Sequence, residues 1–180
     1  MNIKSLLQEG SKILKENNIF SHKLDSEILM SKILRKDRKF LILNQTFKPD
    51  KTCSKHFKNL IEQRAKGKPV AYLVGSKYFW KYKFNLIENV LIPRPDTELI
   101  IENVLEITKN KSKLRVLDVG IGSGCLLLSI LKEKQDFHGV GIDISKNCIE
   151  LSRSNARNLR LKNRVKFFKT DVDNFNYGKY

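Results

Sequence analysis

One stretch of this chain limits its possible folds more than any other: an apolar strand that runs directly into a glycine-rich loop. The predicted strand covers residues 114–119, and glycine then occupies every second position from Gly120 to Gly124. Glycine adopts left-handed backbone conformations freely, and its lack of a side chain lets a ligand approach the main chain. The stretch therefore predicts a strand–loop–helix unit whose turn can hold a ligand.

Apolar strands and helices continue to alternate after this loop. We predict a helix over 124–134, a strand over 139–144, a helix over 145–161 and a strand over 165–169. Such alternation is typical of a parallel sheet that carries helices on its faces. Residues 96–180 are therefore predicted to be α/β, the first half of a doubly wound, Rossmann-like sheet. Because so short a sheet leaves an edge unpaired, we expect the chain to be part of a longer protein, with 178–180 leading toward a further strand.

The chain before residue 96 has a different pattern. Residues 1–68 place leucine and isoleucine at helical spacing, which predicts a small helical bundle with Ser21 and Asp50 as N-caps. Residues 69–95 are rich in aromatic and β-branched residues, which predicts a β-hairpin linker with a turn at Gly75 and Ser76 and further turns or bulges at Asn85 and at 88–89. Asp96 is then expected to cap the next helix.

The chain carries a large positive charge, since 35 Lys and Arg residues against 19 Asp and Glu give a net +16. The excess is spread between residues 1–69, with 16 cations and 7 acids, and residues 70–180, with 19 cations and 12 acids. No tail or single helix holds it. A solvated, lysine-rich surface is the simplest interpretation, and attraction to nucleic acid or to an acidic protein is the alternative.

Several classes of protein are excluded by what the sequence lacks. No uncharged apolar run approaches the about 20 residues of a membrane-spanning helix, and the N-terminus lacks the pattern of a signal peptide. The 3 cysteines share no spacing typical of zinc ligands or of a disulfide framework. We therefore expect a cytoplasmic protein with no metal site and no membrane association.

Acidic residues follow the next two predicted strands. Asp143 lies at the end of the second strand, where a carboxylate can accept two hydrogen bonds from a ribose diol, and Asp171 closes the third strand. The carboxyl ends of parallel strands meet at one edge, so both residues are expected beside the glycine loop. The dinucleotide fingerprint GxGxxG would require glycine where this chain has Cys125. The pattern therefore favours S-adenosyl-L-methionine over NAD as the ligand.

The strand–GIGSG–helix series, followed by GIDIS at 141–145, resembles the class I S-adenosylmethionine-dependent methyltransferases. A more specific resemblance lies in residues 64–75 (RAKGKPVAYLVG), in Phe79 and in residues 91–98 (LIPRPDTE). With the helical N-terminal part, these segments resemble the peptide chain release factor glutamine methyltransferases, the HemK/PrmC family. The resemblance spans the whole chain, most clearly from 64 to 144.

The resemblance implies a helical substrate-docking domain over 1–68, a hairpin linker over 69–95 and the N-terminal part of a methyltransferase domain over 96–180. Those enzymes transfer a methyl group from S-adenosyl-L-methionine to the side-chain amide of the glutamine in the Gly-Gly-Gln motif of release factors. By the same resemblance, the loop lines the methionine part of the cofactor, Asp143 holds the ribose, Asp171 and Val172 flank the adenine, and the segment 93–98 shapes a hinge beside the substrate. The implied cofactor-binding residues are Gly120, Ile121, Gly122, Ser123, Gly124, Asp143, Asp171 and Val172, and the implied substrate or hinge residues are Arg94, Pro95, Asp96, Thr97 and Glu98.

The sequence departs from the family in one respect that concerns catalysis. The Asn-Pro-Pro-Tyr signature, which orients the target amide in that family, does not occur in these 180 residues. We therefore assign no catalytic residue and expect the chain alone to be inactive. Two other functions stay open: a related Asn-Pro-Pro-Tyr methyltransferase that acts on adenine in nucleic acid, and a non-catalytic basic module that binds RNA or ribosomes. A release factor is the expected partner, and direct nucleic-acid binding is possible but not favoured.

Overall fold

The computed structural model describes residues 1–177 and divides the chain into two compact units. The first unit runs from Met1 to Val74 and the second begins at Gly75. The segment 178–180, expected to lead toward a further strand, lies outside the described residues.

The first unit is helical, as predicted. Its helices are α1 (Ile3–Glu16), α2 (His22–Leu34), α3 (Arg38–Leu43), α4 (Lys51–Ala65) and α5 (Val70–Val74). The Asp50 carboxylate accepts the Cys53 N–H at 2.6 Å, so the predicted N-cap of α4 is confirmed. Ser21 precedes α2 but makes no capping bond, because its hydroxyl donates to Asp25 instead.

A close approach of α1 and α4 organises the core of the first unit. A side-chain carbon at Gly10 on α1 would lie 2.9 Å from the Phe57 ring on α4, so only glycine fits at this position. The spacing lets the apolar faces of both helices meet. The buried residues of this core are Ile3, Leu6, Leu14, Leu29, Met30, Leu41, Phe57, Ile61 and Leu73.

A buried ion pair joins α2 to α4 in the same unit. Arg64 Nε donates to the Asp25 carboxylate at 2.7 Å, and the Ser21 hydroxyl donates to the same oxygen at 2.9 Å. Only 4% of the Asp25 side chain and 16% of the Arg64 side chain are exposed. Arg64 also donates to the Lys68 carbonyl at 3.3 Å, so the pair holds the turn that follows α4.

The second unit opens with a two-stranded antiparallel hairpin, β1 (Ser76–Phe79) and β2 (Tyr82–Asn85). The β-hairpin linker was predicted to begin at residue 69, but residues 70–74 form helix α5 and the first strand begins at Ser76. The predicted turn at Gly75 is present, at φ +78°, directly before β1. The turn that joins the two strands lies at Trp80 and Lys81, with Trp80 in the left-handed region at φ +54°. Hydrogen bonds to two carboxylates hold that unusual turn, as described below.

The rest of the second unit is a three-stranded parallel sheet whose strands lie side by side in chain order, with helices between them. The α/β fold predicted for this half is confirmed, and the strand at Val165–Lys169 has the predicted bounds. Asp96 does not cap the helix that follows it, since it lies inside a 3-10 turn at Pro95–Thr97. The remaining elements are α6 (Glu98–Ile107), β3 (Arg115–Val119), α7 (Cys125–Glu133), β4 (His138–Asp143), α8 (Lys146–Asn158) and β5 (Val165–Lys169).

The central strand β4 allows helix α7 to pack very close to the sheet. A side-chain carbon at Gly139 would lie 2.9 Å from Leu127 and from Leu131 of α7, and one at Gly141 would lie 2.7 Å from Ile121. Glycine at these positions therefore sets the distance between α7 and the sheet, and with it the position of the loop before α7. In the part of the chain that the structure describes, no helix is long and apolar enough to cross a bilayer.

We expect Asp25→Asn to lower the free energy of unfolding by about 3 kcal/mol, because it leaves the Arg64 guanidinium buried without its counter-charge. Chemical denaturation followed by far-UV circular dichroism measures this loss. The matched control is Lys12→Gln, which removes an exposed pair with Glu16 at 3.9 Å and should change stability by less than about 0.5 kcal/mol. Equal effects of the two variants would show that the buried pair has no special role.

Candidate functional site

The glycine loop follows an unusual backbone path at the carboxyl end of β3. Gly120, Gly122 and Gly124 have φ values of +77°, +55° and +78°, which residues other than glycine adopt only with strain. The N–H groups of Gly120 and Ile121 both donate to the Ile142 carbonyl at 2.9 Å. These bonds fix the start of the loop to the end of β4.

Helix α8 supports the loop from behind through two side chains. The Ser152 hydroxyl donates to the Gly122 carbonyl at 2.9 Å, and Asn155 Nδ2 donates to the Ser123 carbonyl at 2.8 Å. Asn155 is buried, and it also accepts the Asn85 N–H at 2.8 Å and donates to the Asn85 carbonyl at 3.1 Å. One amide therefore links the end of the hairpin to the glycine loop.

The three loop glycines are required for two different reasons. A side-chain carbon at Gly120 would meet nothing within 4 Å, and one at Gly122 would approach only the Gly120 carbonyl, at 3.9 Å. At Gly124 it would lie 3.0 Å from Leu128 and 3.2 Å from the Ser152 hydroxyl. Gly124 is thus needed for packing, whereas the first two glycines border open space that a ligand can enter.

The side chains of Ile121 and Ser123 do not face that space. Ile121 is 4% exposed and packs on Gly141, and Ser123 is 3% exposed. Any contact of these two predicted cofactor-binding residues with a ligand therefore uses their main chain. Their side chains belong to the core beneath the loop.

Asp143 braces the loop and borders the crevice at the same time. Its Oδ2 accepts the Gly122 N–H at 3.0 Å, and its Oδ1 accepts the Ser145 N–H at 2.8 Å. A carboxylate offers about four acceptor positions, so about two stay available for a ligand. The position fits the ribose-binding role implied by the resemblance.

Asp118 is a second carboxylate at the site, which the sequence analysis did not assign. Burial raises its pKa to about 6, the Leu127 N–H acts in the opposite direction, and the nearby charge of Asp143 adds to the rise. An acidic residue inside an otherwise apolar strand was the available signal. Two neighbouring carboxylates make this edge of the sheet suited to a cationic ligand, and they would repel a pyrophosphate.

Asp171 and Val172 follow β5 at the same edge of the sheet. Asn174 donates to the Asp171 carboxylate through its backbone N–H, at 2.8 Å, and through its side-chain amide, and this amide is the main cause of a lowered Asp171 pKa. The backbone joins the two strand ends, because the Thr170 N–H donates to the Asp143 carbonyl at 3.0 Å. Val172 is 54% exposed, so it offers apolar surface there.

Ile144, which directly follows Asp143, is a further apolar residue at this edge that sequence reasoning missed. It is 73% exposed, an unusual position for isoleucine in a folded unit. Apolar side chains beside a carboxylate match the two halves of a nucleoside, a flat base and a hydroxylated sugar. The strand predicted over 139–144 includes Ile144, whereas the observed strand ends at Asp143 and leaves Ile144 outside it.

The segment 93–98 is anchored to the hairpin at both ends. Lys77 Nζ donates to the Pro93 carbonyl at 2.6 Å, and Glu98 Oε1 accepts the Trp80 N–H at 2.8 Å. Between these anchors, the predicted substrate or hinge residues Arg94, Pro95 and Asp96 are exposed, and Thr97 is partly buried. The side chains of Arg94 and Asp96 are therefore free to meet a partner.

A second carboxylate holds the same hairpin turn. Glu133, at the end of α7, accepts hydrogen bonds from Trp80 Nε1 at 2.9 Å, from the Tyr82 hydroxyl at 2.9 Å and from Lys81 Nζ at 3.0 Å. Burial, together with the Glu133 carboxylate, raises the pKa of Tyr82 to about 12. The hairpin and the segment 93–98 are thus fixed to the unit that carries the glycine loop.

The site as described combines a glycine cradle, two carboxylates and exposed apolar side chains. Within residues 1–177, no group of three or more His, Cys, Asp or Glu residues could hold a metal ion. The arrangement can bind and orient a nucleoside-bearing cation.

We expect Asp118→Asn to remove a pH-dependent loss of stability. In the unfolded chain this carboxyl ionises near 3.8, and in the folded chain it keeps its proton until about pH 6, so stability falls as the pH rises through that window. The free energy of unfolding of both proteins, measured without ligand from pH 4 to pH 7, tests this. The advantage of the variant should grow with pH and level off above about pH 6. A difference that stays constant across the window would contradict the burial of Asp118.

Two protein-family models match this chain. Residues 5–75 match the PrmC N-terminal domain, and residues 110–179 match a methyltransferase domain. Among solved structures, an RNA methyltransferase from Salinibacter ruber in complex with S-adenosyl-L-homocysteine aligns with 47% of this chain and 53% of that chain, at 23% identity and a TM-score of 0.41. A TM-score this low adds nothing to the assignment.

Curated relatives cover nearly the whole chain. It is 38% identical over 172 residues to the release factor glutamine methyltransferase of Clostridium acetobutylicum, covering 96% of this chain and 60% of that protein. It is also 38% identical over 163 residues to the enzyme of the same name from Buchnera aphidicola subsp. Baizongia pistaciae, covering 91% of this chain and 58% of that protein. The chain thus spans about 60% of the length of these relatives. The chain therefore carries a PrmC N-terminal domain followed by a methyltransferase domain and is a relative of the release factor glutamine methyltransferases over most of its length, which confirms the resemblance seen in its sequence.

Proposed function

We propose that this chain binds S-adenosyl-L-methionine and docks a peptide chain release factor, as part of an enzyme that methylates the glutamine amide of a Gly-Gly-Gln motif. The observation that carries the proposal is the acidic cradle formed by Gly120–Gly124, Asp118 and Asp143 in a relative of enzymes with that name. A substrate of this kind would place the protein in the cytoplasm. The names of the relatives support the substrate, and the geometry of the cradle supports the cofactor.

The residues of the cradle fit the cofactor in charge and in shape. S-adenosyl-L-methionine, when bound, supplies a methyl group made electrophilic by a positively charged sulfur. Asp118 and Asp143 favour that positive charge, and the open space above Gly120 leaves room for the ligand against the main chain. The free acceptor positions of Asp143 suit the two ribose hydroxyls, and Ile144 and Val172 offer apolar surface to the adenine.

The other segments have roles in binding and orientation. The exposed residues of 93–98 are proposed to shape the substrate side of the pocket, since Lys77 and Glu98 fix both ends of that segment. The helical unit over 1–68 is proposed to dock the release factor through its positive charge. An amide nitrogen is a poor nucleophile and must be oriented by hydrogen-bond acceptors, which the family's Asn-Pro-Pro-Tyr motif provides and these 180 residues do not contain.

Binding measurements test the cofactor directly. In isothermal titration of the 180-residue chain, we expect S-adenosyl-L-methionine to bind and NAD not to bind, because the two carboxylates repel a pyrophosphate. Preferred binding of NAD, or no binding of either ligand by a folded chain, would refute the cofactor assignment. Asp143→Asn should weaken S-adenosyl-L-methionine by at least about tenfold, since a carboxylate is the stronger acceptor for a diol.

Two alanine variants separate the ligand contact from backbone strain. Gly120→Ala and Gly67→Ala both place alanine at positive φ with no atom within 4 Å of the new carbon, so each should cost about 1–2 kcal/mol of stability. Only Gly120→Ala puts a methyl group into the cradle. It should weaken S-adenosyl-L-methionine by at least about tenfold, while Gly67→Ala leaves the affinity unchanged. Equal affinities of the two variants would show that the ligand does not contact the loop.

A methyl-transfer assay tests the catalytic part of the proposal. With a release factor and labelled S-adenosyl-L-methionine, we expect the 180-residue chain to bind both molecules but to transfer no label, because the amide-orienting motif is not in its sequence. Label on the glutamine would show that other residues of this chain orient the amide. A chain that binds the cofactor but no release factor would refute the proposed substrate and leave the cofactor assignment standing.

A further inference from the structure

The positive charge of the second half of the chain is concentrated in one segment. Residues 146–169 contain 8 Lys and Arg residues and a single acid, Glu150. The remainder of 70–180 contains 11 cations and 11 acids, so the whole excess of that half comes from this segment. The excess of this half therefore lies in one segment, which spans helix α8, strand β5 and the turn between them.

Arginine is enriched in the same segment. It holds 4 of the 9 arginines of the chain, although lysine supplies 26 of its 35 positive charges. Two of these four arginines, Arg153 and Arg157, line the groove described next, whereas Arg164 donates to the carbonyls of residues 134, 135 and 137. The arginine guanidinium binds phosphate through paired hydrogen bonds, which a lysine ammonium cannot form.

These charges border a groove between α8 and β5, called here the α8–β5 groove, with a volume of about 440 Å³. Its floor is apolar and formed by Ala156, Val165 and Phe167, with Phe168 beside them. Four exposed cations stand around this floor, two from α8 and two from β5 and the turn before it: Arg153, Arg157, Lys162 and Lys166.

Acidic side chains do not neutralise these four cations. Among residues 1–177, none of the four forms an ion pair, and Glu150 lies 3.6 Å from Lys146 instead. Arg153 donates to the Phe167 carbonyl at 2.9 Å, and Lys166 donates to the Tyr177 hydroxyl, so both are held in place by neutral groups. Their charges therefore stay available to an anion.

A second cavity continues the positive surface beyond the start of β5. Its volume is about 540 Å³, and it shares Val165 and Lys166 with the α8–β5 groove. Arg115 and His138, the first residues of β3 and β4, line it as well. Both cavities are separate from the cofactor cradle, which lies at the carboxyl ends of the strands. The cations that line the two cavities suit a ligand that carries several negative charges.

We propose that the α8–β5 groove binds single-stranded nucleic acid, with phosphates on the four cations and a base against Phe168, the half-buried aromatic residue of its lining. Positively charged grooves with aromatic side chains bind single strands in this way, and the guanidinium groups of Arg153 and Arg157 suit phosphate through paired hydrogen bonds. This binding goes beyond the proposed methyl transfer and does not depend on it. The charge of the whole chain did not indicate where nucleic acid would bind, and the α8–β5 groove gives this binding a defined place.

Filter binding of a labelled 20-nucleotide oligouridylate to the 180-residue chain tests the proposal. The variant Arg157→Gln/Lys162→Gln removes two exposed cations of the groove. We expect it to bind about tenfold more weakly, and its plot of log affinity against log salt should be shallower by about 1.4, since each phosphate contact with a single strand contributes about 0.7. The matched control Lys109→Gln/Lys111→Gln removes the same charge outside the groove and should lose less than about twofold.

Three outcomes would overturn the proposal. Equal losses in the two double variants would show that net charge alone binds the RNA. No measurable affinity of the parent chain at low salt would exclude the site. Competition by polyglutamate as effective as that by unlabelled oligouridylate, at equal charge, would assign the groove to an acidic peptide. The circular dichroism spectrum of Arg157→Gln/Lys162→Gln should be unchanged, which shows that the variant still folds. Its affinity for S-adenosyl-L-methionine should also be unchanged, which shows that the proposed cofactor site is intact and that only the groove is affected.

Discussion

The chain between β3 and α7 must turn within five residues without leaving its polar backbone groups unpaired, and the second unit is arranged around this requirement. The end of β4 receives the first N–H groups of the loop, and Asp143 receives the next one. Ser152 and Asn155 of α8 satisfy the carbonyls. Because the elements behind the loop provide all these partners, its outer side is left free for a ligand.

The second unit carries two regions of opposite charge. Asp118 and Asp143 lie at the carboxyl ends of the strands, where they favour a cation, while Arg153, Arg157 and Lys166 lie beside α8 and β5, where they favour a polyanion. The net charge of +16 does not reveal this division, because a sum over the whole chain does not say where the charges lie. Long-range attraction would bring an anionic partner to the basic groove and keep it away from the acidic cradle.

The sequence predicted the parts of the fold that follow from periodic burial. The strand at Val165–Lys169 and the parallel order of the sheet follow from apolar runs between helices. Helix α3 was missed because six residues are too short to show a helical period, and the turn at Trp80 was missed because it contains no glycine. At the site, Asp143 was found because it ends a strand next to a glycine loop. The buried side chains of Ile121 and Ser123, and the double role of Asn155, depend on contacts between elements far apart in sequence. The residue pattern of a single helix or strand therefore does not reveal these contacts.

Trp80 is the single tryptophan of the chain, and its position makes it useful as a fluorescent probe. Its indole is hydrogen-bonded to Glu133 and its backbone to Glu98, so its surroundings change when the hairpin leaves α6 and α7. The first unit, up to Val74, contains no tryptophan. Intrinsic fluorescence excited near the red edge of absorption therefore reports on one unit alone, without any label, whereas ellipticity reports on the helices of both. Melting curves from the two signals would separate if the units unfold independently and coincide if they unfold as one.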